Sequence, residues 1–170
     1  MLQQRAIWAT IGNLTKTLPA ALLALNLSGC STMNPAPASG GRVETEVLAA
    51  FKELVDASKA LDAKRYFACF DPERFTGLNA DGKVWHSMKE FENTVAPGFA
   101  AVDKVVSLEF SRVKVNVLNP STAVLVNEYA ETVLLKNGTT IKHAGGGVQV
   151  WSKERNAWKL VSVSASDASQ

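Results

Sequence analysis

Residues 122–165 read TAVLVNEYAETVLLKNGTTIKHAGGGVQVWSKERNAWKLVSVSA. Apolar and polar side chains alternate along three runs, interrupted at Asn137-Gly138 and between Lys153 and Asn156. A period of two belongs to strands with one buried face. Asn-Gly between two such runs is a strong hairpin signal. An earlier alternating run ends at Asn119-Pro120-Ser121. Strands are therefore expected at about 103–118, 122–136, 139–153 and 157–165, joined by three hairpins into an antiparallel meander.

Upstream the period changes to that of a helix. Val47, Phe51, Leu54, Val55 and Leu61 recur at helical spacing from Val43 onward. Asp62 can cap a second helix that puts Ala63, Tyr66, Phe67 and Phe70 on one face, and Asp71-Pro72 ends it. A small hairpin turning at Asp81-Gly82 is expected between Phe75 and His86. Ser87-Met88-Lys89-Glu90 has the spacing of a capping box, so a third helix starts there, buries Phe91 and Val95, and stops at Pro97-Gly98. Three N-terminal helices packed on a curved antiparallel sheet make an α+β domain over residues 43–166, with a tail at 167–170.

Hairpin geometry decides which side chains share a face. Counting out from a two-residue Asn137-Gly138 turn sets Glu128 against Gly147, Val126 against Gln149 and Val124 against Trp151. Counting from the last turn sets Trp151 against Trp158, Gln149 against Leu160 and Gly147 against Ser162. One face then carries Val124, Val126, Glu128, Thr132, His143, Gln149, Trp151, Trp158, Leu160, Ser162 and Ser164. The other carries Leu125, Asn127, Tyr129, Val148, Val150, Val161 and Val163. Helices can cover only one of these apolar faces, so the second calls for a partner, most simply an identical chain in a two-fold dimer.

The chain has 170 residues, 46% apolar and 20% charged. That suits one globular domain, or one domain with an export segment, and excludes a disordered or fibrous chain. A formal charge of +2 gives no broad basic field for nucleic acid. Arg5 and Lys16 precede an apolar run, Leu18 to Leu27, that ends Leu27-Ser28-Gly29-Cys30. The run is too short to span a bilayer and has the order of a secretory signal, residues 1–29. Leu-Ser-Gly-Cys resembles the bacterial lipobox. That resemblance implies a lipid on Cys30, cleavage before it and a stable membrane anchor. Ser31 in the second mature position implies the outer membrane of the cell envelope, facing the periplasm. Residues 30–42 are then the lipidated cysteine and a Pro/Ser/Gly-rich linker. Its stretch 31–41 reaches about 35 Å when extended. The mature chain carries 16 charges of each sign. Cys69, among Tyr66, Phe67 and Phe70, is expected as a buried and inert thiol.

Two stretches carry a family resemblance. Asp62-Ala-Lys-Arg-Tyr66 with Asp71-Pro72, and Gln149-Val150-Trp151, a turn, then Trp158-Lys-Leu-Val-Ser162-Val-Ser164-Ala-Ser166, resemble motifs of the nuclear transport factor 2-like superfamily. The nearest group is similar to the SnoaL-like proteins and the association domain of calcium/calmodulin-dependent kinase. The resemblance implies a cone-shaped fold with a pocket. Tyr66 matches the family's tyrosine of the second helix, and His86 its histidine before the third. The family's anion-binding strand arginine becomes Gln149, and its last-strand histidines become Ser162 and Ser164. A bidentate cation is replaced by a neutral amide, so a neutral or cationic ligand is expected rather than an anion.

His86 or Glu128 could serve as a general base or acid. Tyr66, Trp85, His86, Glu128, Gln149, Trp151, Ser162 and Ser164 are the candidate ligand-binding residues, with Trp158 among the walls. His143 is read as solvated. Two histidines far apart in sequence give no metal-ligand spacing, and nothing implies a cofactor. Gly145-Gly146-Gly147 precedes no helix, so it bends a sheet rather than cradling phosphate. Ser166 lacks a triad pattern. The expected function is a lipid-anchored envelope protein whose cone takes a small, largely apolar ligand. One alternative is an isomerase, cyclase or dehydratase. Another is an interaction module that docks through its open sheet face, where a charge at Val150 should break assembly.

Overall fold

The computed structural model of the chain describes residues 39–168. Cys30, the signal segment and most of the expected linker lie outside the described residues. Helix α1 (Ser39–Lys59) buries Val43, Val47, Phe51, Leu54 and Ala57 along one stripe. It starts inside the Ser-Gly-Gly assigned to the linker. Glycine costs about 1 kcal/mol in a helix. Burial of Val43 and the bond from the Thr45 hydroxyl to the Gly41 carbonyl (2.9 Å) hold that first turn. The helix ends where Leu61 turns left-handed (φ 53°) and the Asp62 N–H donates back to the Ala57 carbonyl at 3.0 Å. Asp62 then caps α2 (Ala63–Ala68), accepting from the Arg65 N–H at 3.0 Å.

Strands β1 (Thr76–Leu78) and β2 (Val84–Trp85) form the small hairpin. The capping box then opens α3 (Met88–Ala101): Ser87 Oγ accepts from the Glu90 N–H at 3.3 Å, and the Glu90 carboxylate accepts from the His86 N–H at 2.9 Å. Pro97 does not stop this helix, contrary to the sequence reading. It removes one donor, yet Phe99 beyond it packs on Tyr66 with ring centres 5.0 Å apart. That contact retains the last turn.

The meander follows as β3 (Val102–Asn119), β4 (Thr122–Leu135), β5 (Thr140–Glu154) and β6 (Ala157–Asp167). The sheet order is β2-β1-β6-β5-β4-β3. The small hairpin thus joins the same sheet, with β1 parallel to β6 and Gly77 beside Val163. The expected α+β architecture, helices followed by a curved and largely antiparallel sheet, is the one observed.

Register departs from expectation in three places. At the β4–β5 hairpin the Gly138 N–H donates to the Leu135 carbonyl and the Leu135 N–H to the Thr139 carbonyl, each at 2.8 Å. Only Gly138 is left-handed there (φ 83°). The loop is three residues long, a turn followed by a left-handed glycine, rather than a two-residue turn. Val126 therefore pairs with Val148, Leu125 with Gln149 and Glu128 with Gly146. That one-residue slip moves Val124, Val126 and Glu128 to the convex face. Leu125, Asn127, Tyr129, Glu131 and Val133 come to the concave face, under the helices.

The β5–β6 hairpin closes on a two-residue turn, Arg155 and Asn156, both left-handed (φ 43° and 73°), rather than on Lys153 to Asn156, so Lys153 and not Trp151 pairs with Trp158, and Trp151 and not Gln149 pairs with Leu160. Up to Leu160 the faces are as expected. A bulge at Val161 then changes the parity, so Gln149 pairs with Val163 and Val150 with Ser162. Ser162 and Ser164 turn outward, and Val163 turns inward to 6% exposure.

Candidate functional site

The concave face of the sheet and helices α1 and α2 enclose a cavity of about 70 Å³. That is room for several water molecules or a small organic group. Leu54, Val55, Leu108, Phe110, Leu160 and Val163 supply apolar wall. Ser58, Tyr66, Asn127, Tyr129, Glu131 and Gln149 supply the polar groups. A smaller cavity of about 20 Å³, lined by Leu61, Phe99, Val102, Val105 and Val133, shares Ser58, Tyr66 and Glu131 with the first. Tyr66 and Glu131 therefore stand between the two.

Each polar group is placed by a local feature of the chain. Glu131 sits on β4 because the slipped hairpin turns odd positions inward. The residue is 9% exposed, and burial alone pushes its carboxyl pKa up to about 7. Tyr66 is carried in by α2 and packed among Phe67, Phe70, Phe91 and Phe99. Burial raises its hydroxyl pKa, and the Glu131 charge adds to the rise. The Tyr129 hydroxyl donates to Asp167 at 3.3 Å; burial, then the Asp167 charge, raise its pKa. Asn127 is 7% exposed, and its Oδ1 is buried with no hydrogen-bond partner among the described residues.

The triple glycine makes this space. Gly145 and Gly147 face inward opposite Tyr129 and Asn127. A Cβ at Gly145 would lie 2.0 Å from the Ser166 carbonyl oxygen and 2.8 Å from the Tyr129 hydroxyl, so only glycine fits. A Cβ at Gly147 would meet Asn127 Oδ1 at 3.4 Å, an ordinary contact. The segment does more than bend the sheet: it leaves volume beside the polar band.

Of the residues nominated from sequence, Tyr66 and Gln149 line the cavity. Gln149 is already engaged, its Oε1 accepting from Trp151 Nε1 at 3.0 Å. Trp151 is fully buried in the adjoining core. Trp85 is buried against Phe91 and donates to the Thr94 hydroxyl at 3.2 Å, while its neighbour His86 is exposed. Trp158 donates to Glu46 at 2.9 Å. Glu128 lies exposed on the convex face beside Arg112, at 3.2 Å. Ser162 and Ser164 share that convex face. The acid on the cavity wall is Glu131, which the sequence reading missed. His143, read as solvated, is half-buried on the concave face opposite Glu131, and its Nε2 has no partner among the described residues. The available signal was the inward alternation Leu125, Asn127, Tyr129, Glu131, Val133, legible once the turn type is right.

Cys69 is buried, donates to the Arg65 carbonyl at 3.4 Å, and has its pKa raised, chiefly by burial. It is placed as an inert thiol. Among the described residues no cluster of His, Cys, Asp and Glu could hold a metal ion.

The class these features define is an α+β domain whose helices close over the concave face of a curved sheet, with a partly polar cavity between them. The SnoaL-like domain profile matches residues 47–169, and the chain belongs to that family. Solved structures share the fold. A nuclear transport factor 2-like superfamily protein from Salmonella enterica serovar Typhimurium aligns with a TM-score of 0.67 at 17% identity, over 77% of this chain and 94% of its own. The association domain of CaMKII from C. elegans aligns at 0.61 and 17%, over 75% and 98%. A ketosteroid isomerase-like protein from Erwinia carotovora atroseptica aligns at 0.63 and 15%, over 74% and 96%. At these identities the likeness establishes the fold. No curated protein matches the chain.

Proposed function

We propose that the protein binds a small, largely apolar molecule inside the cone, held at the bacterial cell envelope by a lipid on Cys30. The observation that carries the reading is the cavity itself: largely apolar walls and a short polar band where, among the described residues, Asn127 Oδ1 has no hydrogen-bond partner and Glu131 is buried. Such a band, next to apolar surface, orients a ligand rather than stabilising a fold. Native mass spectrometry of the purified chain tests it. A reproducible added mass, lost in Gly147→Leu, is expected; a chain that carries no added mass and takes up no apolar probe sinks the reading. Intact-mass analysis tests the anchor, which Cys30→Ala should abolish.

A second reading has its own observation. A carboxyl with a pKa of about 7, against an apolar cavity and near a buried tyrosine, is suited to move a proton at neutral pH. Glu131, rather than Glu128 or His86, would be the acid–base group, as in an isomerase or dehydratase. Turnover in a substrate screen that is lost in Glu131→Gln would support it; turnover untouched by that change would refute it.

The convex face supports pairing with a second copy. Val126 and Val148 are 39% and 45% exposed there, beside Val124 and Val150. A chain that stays monomeric at micromolar concentration in sedimentation would refute a homodimer. Val150→Asp should dissociate one.

A further inference from the structure

We propose, building on the ligand-binding reading above, that Asn127 is the group that selects the ligand, and that the ligand is a neutral hydroxyl-bearing molecule, a phenol or alcohol on an apolar body. Asn127 lies on the cavity wall, 7% exposed, with its Oδ1 shut away from solvent and unpartnered among the described residues. The other buried amide on this face, Gln149, has its oxygen filled by Trp151 Nε1. The two amides thus differ: one is built into the core, and the other lies on the cavity wall with its oxygen unbonded among the described residues. Gly147, directly opposite Asn127, supplies no side chain to cover it.

The chemistry of the walls narrows the donor. Among the described residues no lysine, arginine or histidine lines the cavity, and His143, across from Glu131 on the sheet, is not on its wall, so an anionic ligand would meet Glu131 with no basic group in the same lining. A ketone or ether has no proton for Asn127 Oδ1. An ammonium would have to give up its water to walls made largely of Leu, Val and Phe side chains. A hydroxyl donates to Asn127 Oδ1 and can still accept, from the Asn127 amide nitrogen or from Glu131 in its protonated form.

The test uses phenol and toluene, which differ by a hydroxyl in place of a methyl. Benzoate and benzylammonium serve as charged probes. Dissociation constants are measured by ligand-observed NMR titration on the full chain, kept free of detergent. Phenol should bind at least about tenfold tighter than toluene although toluene is the more apolar, because the site rejects an analogue that leaves a buried polar group unpaired. Asn127→Leu, verified as folded by its thermal transition, should erase or invert that preference while toluene still binds. Equal binding of phenol and toluene to the wild-type chain overturns the inference and leaves the pocket reading standing. A phenol preference that survives Asn127→Leu overturns the assignment to Asn127. Tightest binding of benzoate or benzylammonium overturns the hydroxyl class. Binding of none of the four overturns the pocket reading, and this inference with it.

Discussion

The two ends of the concave face are built on opposite rules. At the tryptophan end every buried polar group named above is answered from within. Trp151 donates to Gln149, Trp158 and Lys153 donate to Glu46, and Trp85 donates to Thr94. At the glycine end, among the described residues, Asn127 Oδ1 and His143 Nε2 are unpartnered, and Glu131 is buried without an ion pair. The first end is finished by folding. The second keeps polar capacity that folding does not use. An unpaired buried polar group costs about 1–3 kcal/mol, and that cost is why the proposed site is sought at the second end.

The largest effect should come from breaking the finished end. Trp151→Ala leaves a large cavity and strips Gln149 of its partner, and should destabilise the domain by about 3–5 kcal/mol in urea unfolding. A loss below about 1 kcal/mol would erase the distinction between the ends.

Glu131 gives the next effect, with a defined sign. Its pKa is raised from 4.5 unfolded to about 7 folded. The folded state therefore holds more protons between those values, and stability falls as pH rises through that window. Below about 4.5 both states are protonated and the penalty is absent. Glu131→Gln should remove this slope, gaining on the order of 2–3 kcal/mol at pH 8 and almost nothing at pH 4. Parallel pH–stability curves for the two chains would refute it.

Asn127→Leu should sharpen the comparison, because an unanswered amide is replaced by an apolar group of similar size. A gain of about 1 kcal/mol is expected in thermal unfolding. A loss above 1 kcal/mol would mean that Asn127 belongs to the fold.

The smallest effect lies at the turn of the tryptophan end. Arg155 holds a left-handed backbone (φ 43°) in a two-residue turn that favours Asn-Gly. Replacing Arg155 by Asn and Asn156 by Gly should stabilise by about 0.5–1 kcal/mol while leaving ligand binding unchanged, measured by the same titrations.

Much of this molecule is legible along the chain. Val43 to Ala57 at helical spacing, the Ser87–Glu90 box and the alternation from Thr122 onward give the helices, the strands and their order. These are local patterns, written by periodicity and capping, and the resemblance carried by Asp62–Tyr66 and Gln149–Ser166 points to the cone. The site was less legible. A glycine taken one residue too early in a turn placed Glu128 inside and Glu131 out of view, and a bulge at Val161 sent Ser162 and Ser164 to the wrong face.

Sequence by itself determined the class of fold and the burial of Cys69 among aromatic neighbours. Tertiary structure alone decided which residues face the cavity, that the small hairpin extends the sheet beside β6, and that Pro97 lies within a helix. The reason is physical. Periodicity is a property of neighbours in the chain, whereas the sidedness of a strand changes with a single residue of register. That residue is chosen where the whole sheet closes over its core.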